Sequence, residues 1–348
     1  MSTILPGQRP PVMCTAQGIP ALGPSGASAH LRGVARALGA PILAARRSDA
    51  RGEHDAVGIE VIAPEPPAWP GALKRWRELN ELRVSAGLVA PALAYSPTLL
   101  WERHSLYSVA GQRIHAKGIP WVLELNAPLA LERAQFESLA VPWLARRLEL
   151  DTLQAAPRVL AVSAWLTEWA RANGAKDVRH VPNGMEPAVG DRDGTRQRLG
   201  IEGRFVIGFL GSMKPWHGVE RLPDLLDAFP DALGLCVGEG PVRVEHPRLI
   251  CVGQVSERAV ADHVAAMDIG LAPYQSDAPP WFCPLKILAY RAQGTPVVAS
   301  AIGDCALLTG DGGYCGPDLQ DGIEAWRGRR AAPRVRSWGE VVGEGLRE

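Results

Sequence analysis

The sequence carries no net charge: 37 lysines and arginines stand against 37 aspartates and glutamates in 348 residues. A global basic field that would gather nucleic acid is therefore missing, and so is the acidity that would repel phosphate-bearing ligands. Charge-dependent binding has to be local, and no nucleic-acid partner is expected. Lysine is scarce. Lys74, Lys117, Lys176, Lys214 and Lys286 are the whole supply, and all other basic charge is arginine. No stretch approaches the ~20 apolar residues of a membrane span, and the first residues lack the basic head and apolar core of a signal peptide. Membrane contact is expected to be peripheral at most. The six cysteines, Cys14, Cys236, Cys251, Cys283, Cys305 and Cys315, form no C-x-x-C pair and no zinc-like spacing. Several sit in apolar runs where a reduced thiol acts as a small hydrophobe. A disulfide scaffold is excluded, no metal site is expected, and a reducing, cytoplasmic compartment is implied.

What is present is material for two cores. Hydrophobic residues make up 47% of the chain, and its 37 glycines and 30 prolines are dispersed, so disorder is not the reading. At about 150 residues per domain the length points to two domains. Short apolar runs at Pro41–Ala45, Ile59–Ala63, Thr98–Trp101, Trp121–Leu125 and Val159–Val162 read as buried strands, with Pro11–Cys14 a weaker first one. Segments of helical period lie between them at Ser28–Leu38, Leu73–Leu88, Leu131–Leu150 and Ala164–Ala172. The second half repeats the pattern, with strands at Phe205–Leu210, Leu233–Val237, Leu249–Val252, Ile269–Ala272 and Pro296–Ala299 and helices at Val219–Phe229, Ala259–Met267 and Leu285–Gln293. This alternation predicts parallel sheets covered by helices. The seam falls near Val181–Pro187, where two prolines and Asn-Gly precede the charged Asp191–Arg198 run. The expected domains are 1–183, 184–330 and a C-terminal helical segment, 331–348, packing back toward the first.

In open α/β sheets, ligands sit beyond the C-terminal ends of strands, where loops and helix N-termini offer backbone N–H groups to anions. Four loops there stand out. Gly18–His30 is a glycine-rich approach to a helix, either a phosphate or sugar loop or a surface loop with Ser28 as an N-cap. Gly208–Glu220 gathers Ser212, Lys214, Trp216 and His217 at the mouth of a strand, a donor cluster suited to a diphosphate. Val237–Pro241 brings two glycines after a strand but is no dinucleotide fingerprint, since Arg243 stands where the third glycine would be. Pro279–Tyr290 starts a helix with Lys286 in its first turn. A lysine there opposes the helix dipole unless it serves an anion.

These residues resemble a known family. Phe209-Leu-Gly-Ser with Trp216-His-Gly-Val-Glu220, Val237-Gly-Glu-Gly-Pro241, Asp268-Ile-Gly-Leu-Ala-Pro273, Pro284-Leu-Lys286 and Ala292-Gln-Gly-Thr-Pro-Val-Val-Ala-Ser300 look like the donor domain of family 4 glycosyltransferases of the GT-B fold. The N-terminal half is similar to a branch of that family through Gly18–His30, Trp101–Ser108 and Leu123–Pro128, and Val181–Gly184 resembles its interdomain signature. The resemblance implies two Rossmann-like doubly wound parallel-sheet domains facing across a cleft. It also implies a retaining, metal-independent transfer of a sugar from a nucleoside-diphosphate sugar to an acceptor hydroxyl of a natural product, polysaccharide or lipid-linked saccharide, with no cofactor. Ser212 and His217 match positions where many members hold the diphosphate, and Lys286 matches the lysine of the Pro-Leu-Lys branch. Donor contacts are implied for Gly26, Ala27, Ser28, Gly211, Ser212, Lys214, His217, Gly238, Glu239, Pro284, Leu285 and Lys286. Catalytic roles are implied for Lys286, His217, Ser212 and Asn126, the last falling where many members place a histidine near the reacting sugar.

The sequence departs from the family at one pair. The usual glutamates spaced i and i+8 fall on Trp281 and Ala289, and an alanine cannot hold ribose hydroxyls. Glu239 or Asp277 would have to serve, or nucleotide affinity is weak, or the chain is a non-catalytic GT-B partner or activator. Acceptor contacts are expected from His30, Arg103, His104 and Asn126, against the alternative that strand-end Arg103 and His104 are solvated. His54, His115, His180, His246 and His263 read as structural, and Asp268 as a cap or turn residue. The basic Lys74–Arg77 stretch beside Trp69, flanked by Glu78 and Glu81, reads as a solvated helix face.

Overall fold

The computed structural model describes residues 12–15, 19–48, 58–64 and 77–347. Gly18, His54, Trp69 and the Lys74-Arg-Trp76 stretch lie outside them. The chain divides into two compact units, one made of residues 1–23, 27–182 and 339–348, the other of 24–26 and 183–338.

The first unit runs β1 (Val12–Thr15), α1 (Gly26–Leu38), β2 (Ile42–Ala44), β3 (Val61–Ile62), α2 (Arg77–Gly87), α3 (Val89–Tyr95), β4 (Leu100–Arg103), α4 (Ala110–His115), β5 (Trp121–Leu125), α5 (Leu129–Phe136), α6 (Pro142–Ala155), β6 (Arg158–Ala161), α7 (Ala164–Ala172) and β7 (Val178–His180). Its sheet has the order β3-β2-β1-β4-β5-β6-β7, with every pairing parallel. The order reverses between β1 and β4, which makes their C-terminal ends the natural place for a ligand.

The second unit runs α8 (Arg192–Leu199), β8 (Phe205–Leu210), α9 (Leu222–Ala228), β9 (Ala232–Val237), β10 (Leu249–Cys251), α10 (Glu257–Ala266), β11 (Ile269–Ala272), α11 (Leu285–Ala292), β12 (Val297–Ala299), α12 (Cys305–Thr309), β13 (Gly313–Cys315) and α13 (Leu319–Trp326). The last helix, α14 (Trp338–Leu346), follows. The sheet, β10-β9-β8-β11-β12-β13, is parallel throughout and reverses between β8 and β11. Residues alternate between its two faces with the period of two that a pleated strand imposes. Val206, Leu235, Val237, Ala272, Val297 and Ala299 point into one core with Ile287 and Tyr290. Ile207, Phe209, Cys236, Ile269, Leu271 and Val298 point into the other with Leu222, Leu226 and Ile323.

Several elements differ from the sequence reading. The single helix expected over Leu131–Leu150 is two, because Glu137 is extended and Pro142 opens α6 at a position where its missing N–H costs nothing. The helix expected from Val219 begins as a short 3-10 turn, Val219–Arg221, before Pro223 starts α9. The charged run that follows the seam, to which the sequence assigned no element, is helix α8, capped by Asp191, whose carboxylate accepts from Gly194 N at 2.9 Å. Glu78 and Glu81 are not on a solvated face. They are buried, accepting from Ala140 N at 2.7 Å and from the Arg133 guanidinium at 2.8 Å.

Asp268 ties α8 to the sheet. Its carboxylate accepts from Arg192 at 2.5 Å, from Arg196 at 2.7 Å and from Val206 N at 2.8 Å. Both arginines also donate to carbonyls at the end of α10 and just beyond it.

Candidate functional site

In the second unit, Phe209 of β8 is in register with Leu271 of β11. Beyond that pair Tyr290 takes over the hydrogen bonding. Its hydroxyl accepts from Leu210 N at 2.8 Å and donates to Leu271 O at 3.0 Å. Gly270 leaves room for the ring, since a Cβ there would lie 2.4 Å from it. The chain leaves β8 through Gly211, whose φ of 147° is unfavourable for residues with a side chain. Gly238, at the end of β9, packs directly on it.

Lys286 enters this place from the first turn of α11. It is buried, and its ammonium has no hydrogen-bond partner among the described residues. Nζ lies 4.0 Å from the centroid of the Phe209 ring and 5.0 Å from that of Tyr274. Burial pulls its pKa down to about 7, while the Cys305 and Cys236 thiols nearby act weakly the other way. His217 stands beside Lys286, in a short 3-10 turn spanning Pro215–His217, and a Cβ on Gly211 would meet both side chains. Its ring meets Trp216 and Tyr274 edge-on, with centroids 6.0 Å apart in each case. Burial first, then Lys286 and Lys214, hold its pKa at about 2, so the imidazole is neutral. Its Nδ1 is also without a hydrogen-bond partner among the described residues. Buried donors normally find partners within the protein. A buried ammonium facing aromatic rings and thiols, with no carboxylate, is chemically a receptor for an anion.

The structure brings Lys286, His217, Gly211 and Gly238 together. Ser212, Lys214 and Glu239 are exposed on the surrounding loops, and Lys214 Nζ lies 4.8 Å from the Trp216 ring. Pro284 caps α11 without a side-chain bond, and Leu285 is half-buried. Gly26 is exposed and Ala27 half-buried, but Ser28 is wholly buried, backbone and side chain alike, and does not reach the surface where a donor would bind.

In the first unit the reversal point is polar where the sequence suggested an apolar strand. Glu124, in β5, is buried and accepts from Trp101 Nε1 at 2.8 Å and from Asn126 Nδ2 at 2.9 Å. His30 Nε2 of α1 touches the same carboxylate, and the Arg103 guanidinium of β4 stands 3.5 Å away. Burial opposes ionisation of Glu124, yet His30, Arg103 and Trp101 together hold its pKa at about 2. Burial keeps His30 neutral against the pull of Glu124. Arg103 and His104 are not solvated. Both are buried, and His104 Nε2 lies 3.1 Å from Glu149, whose carboxylate also accepts from Ala130 N at 3.3 Å. Sequence reasoning missed Glu124. The signal was a charge inside Trp121-Val-Leu-Glu-Leu125, where a partially solvated strand position would have been the ordinary explanation.

The other histidines have local partners. His115 Nδ1 lies 2.8 Å from Ile119 O, His246 Nε2 3.1 Å from Asp227, and His263 Nδ1 2.7 Å from Ala259 O. His180 ends β7.

Residues 204–326 match the family of glycosyl transferases group 1. The second unit carries a group 1 glycosyltransferase domain, and the protein is a glycosyltransferase. It is 25% identical over 279 residues to the Bacillus subtilis glycosyltransferase TuaC, assigned to teichuronic acid biosynthesis, covering 76% of this chain and 69% of that one. A GDP-mannose-dependent alpha-mannosyltransferase of Mycolicibacterium smegmatis is 31% identical over 124 residues, 34% of this chain and 32% of that protein. The fold is that of GT-B glycosyltransferases. Sucrose-phosphate synthase from Thermosynechococcus elongatus superposes with a TM-score of 0.70 at 17% identity, covering 97% of this chain and 94% of that one. Anabaena HepE, solved with UDP-glucose, gives 0.68 at 16% identity over the same shares.

In this glycosyltransferase, Trp281 and Ala289 are both buried, and Ala289 packs in the core beside Ile287 and Tyr290. Glu239 and Asp277 are exposed. No helix among the described residues is long and apolar enough to cross a membrane.

Proposed function

We propose that this glycosyltransferase uses a nucleoside-diphosphate sugar, bound by the second unit, and transfers its sugar with retention to a hydroxyl of an acceptor bound by the first. The observation that carries the reading is the buried, unpartnered Lys286 ammonium at the point where the β8–β11 order reverses. As the bond from the anomeric carbon to the diphosphate breaks, negative charge grows on the phosphate oxygens. Groups fixed in advance stabilise that charge with little reorganisation. Lys286 supplies the cation, His217 a neutral N–H, the backbone at Gly211 and Gly238 close approach, and Ser212 and Lys214 the rim. With this supply the reaction needs no metal ion. Gly26 and Ala27 add backbone N–H groups, and Glu239 or Asp277 takes the ribose hydroxyls that Ala289 cannot.

The sugar carbon acquires positive character, and retention requires the acceptor oxygen to approach from the face the diphosphate leaves. The acceptor proton departs with the new bond, and positioning carries most of the rate. Asn126, His30, Arg103 and His104 supply the acceptor contacts. UDP-glucose complexed by HepE and the GDP-mannose dependence of the mycobacterial relative support a nucleotide-sugar donor.

The test is calorimetry and thermal shift with uridine, guanosine, adenosine and thymidine diphosphates and their common sugar conjugates, repeated on Lys286→Ala. Stabilisation by one diphosphate that is lost in the variant supports the reading. Stabilisation that survives in the variant removes Lys286 from the donor site, and none with any of them removes the donor class.

A further inference from the structure

We propose that Glu124 is a positioning residue of the acceptor site: it holds the Asn126 amide by its NH2 group, so that the carbonyl Oδ1 is presented to the acceptor. The inference rests on the reading that the first unit binds the acceptor, and it adds the chemistry of recognition: the acceptor meets Asn126 with an O–H or N–H donor.

A carboxylate can only accept, so whichever end of the Asn126 amide faces Glu124 must be the nitrogen. Nδ2 donates to Glu124 Oε1 at 2.9 Å and reaches its backbone carbonyl at 3.5 Å. Both contacts run back into β5, which leaves Oδ1 directed the other way on a half-buried side chain. Without Glu124 an asparagine at the end of a strand would turn over freely, offering donor or acceptor by turns.

The groups around Glu124 fix its own orientation. Trp101 Nε1 donates to Oε2, while His30, Asn126 and Arg103 all address Oε1. Every neighbour is a donor, so both oxygens must be bare. A glutamine of the same shape would aim an NH2 at either Trp101 or Asn126. The buried charge is therefore needed where a neutral isostere would fit sterically, and its expense in desolvation is explained if it sets the polarity of Asn126. Nearby, His104 pairs with Glu149 and Ser108 donates to Glu102 at 2.5 Å.

The experiment reverses the polarity. Full-length wild type, Glu124→Gln, Asn126→Asp and the double variant are compared for release of nucleoside diphosphate from UDP-glucose and GDP-mannose, with water alone and with methyl glucoside or methyl mannoside as acceptor. Asn126→Asp puts two carboxylates face to face. In the double variant the introduced glutamine turns its NH2 to the introduced aspartate, whose second oxygen again points outward, while neutral His30 meets that NH2 with its bare nitrogen and the Arg103 guanidinium turns from the lost charge to the new aspartate. Each single change is expected to lower the ratio of glycoside transfer to hydrolysis about tenfold, and the pair to recover to within about threefold of wild type, with the KM for donor unchanged. A merely structural Glu124 would give losses that add, with melting temperature falling in step, and that result overturns the proposal.

A second measurement does not depend on turnover. In protein labelled with 15N-asparagine, the Asn126 side-chain amide, assigned by its absence in Asn126→Ala, should exchange slowly and shift in Glu124→Gln. An unshifted, fast-exchanging amide overturns the proposal on its own. Failure of wild type to release diphosphate from either donor, with no thermal shift by either, would instead count against the donor reading.

Discussion

Lys286 Nζ lies 4.0 Å from the centroid of the Phe209 ring, an aromatic contact that a cation can use but that cannot replace water or a carboxylate. The unliganded fold therefore bears an electrostatic cost at this point. Unfolded, Lys286 has an ordinary lysine pKa near 10.4; folded, burial takes it to about 7. Between those values the unfolded chain binds more protons, so the contribution of Lys286 to stability improves as pH rises from about 7 to about 10 and is at its worst below 7. Lys286→Met should raise the stability of the empty protein at neutral pH by about 1–4 kcal/mol. Chemical denaturation at pH 7 and pH 10 checks this, and equal gains at both would contradict it.

The same proton governs donor binding. A diphosphate favours charged Lys286, so its arrival should draw a proton from solution wherever the empty site has released one. Affinity for a nucleotide sugar should be flat below pH 7 and fall by up to tenfold per unit above it. Calorimetry at pH 8 in two buffers of different ionisation enthalpy measures the uptake directly. A nucleotide sugar is the better ligand here, because its phosphates do not titrate in that range. Zero uptake would mean that Lys286 is charged before the ligand arrives.

Gly211→Ala probes the same site from the other side. The added Cβ would stand 3.3 Å from Lys286 Nζ and 3.6 Å from His217 Nδ1, on a backbone with φ of 147°. Donor affinity should fall at least about tenfold and stability by about 1 kcal/mol or more. Isothermal titration beside thermal unfolding separates the two. An undiminished affinity would show that the ligand does not use this turn.

Asp268→Asn should be costly without touching ligand. Asparagine keeps the shape but loses the charge that joins Arg192, Arg196 and the Val206 N–H. A loss of about 2–4 kcal/mol is expected, with donor affinity per folded molecule unchanged. Amide exchange should report the opening first at α8 and the start of β8.

The fold was most legible where apolar residues dominate a run or recur at a helix's period. Trp121–Leu125, Phe205–Leu210, Ile269–Ala272 and Ala164–Ala172 have the limits read from sequence. It was least legible in polar or short elements. Strand β7, Val178-Arg-His180, carries two polar residues out of three at the sheet edge, and α8 shows no apolar period because its buried face is made of Thr195 and Arg196. Lys286 stood out in the sequence because it opposed its helix dipole, and Gly211 and His217 because their loop was rich in donors. Glu124 did not stand out. Its meaning lies in four donors from three other places in the chain, and pairing across a parallel sheet leaves no local pattern.

The two carbonyls that Arg158 reaches, those of Gly345 and Arg347 at 3.2 and 2.8 Å, fasten the end of the chain to β6. Arg179 of β7 donates to Arg347 as well. Gly345 is pressed so closely on Leu160 and Trp101 that a Cβ there would stand 2.6 Å from one and 3.1 Å from the other. Trp101 is the residue whose indole N–H holds Glu124. Displacing the turn at Gly345 would thus remove the packing behind that indole, and a disturbance of α14 would reach the buried carboxylate of Glu124 through a single ring.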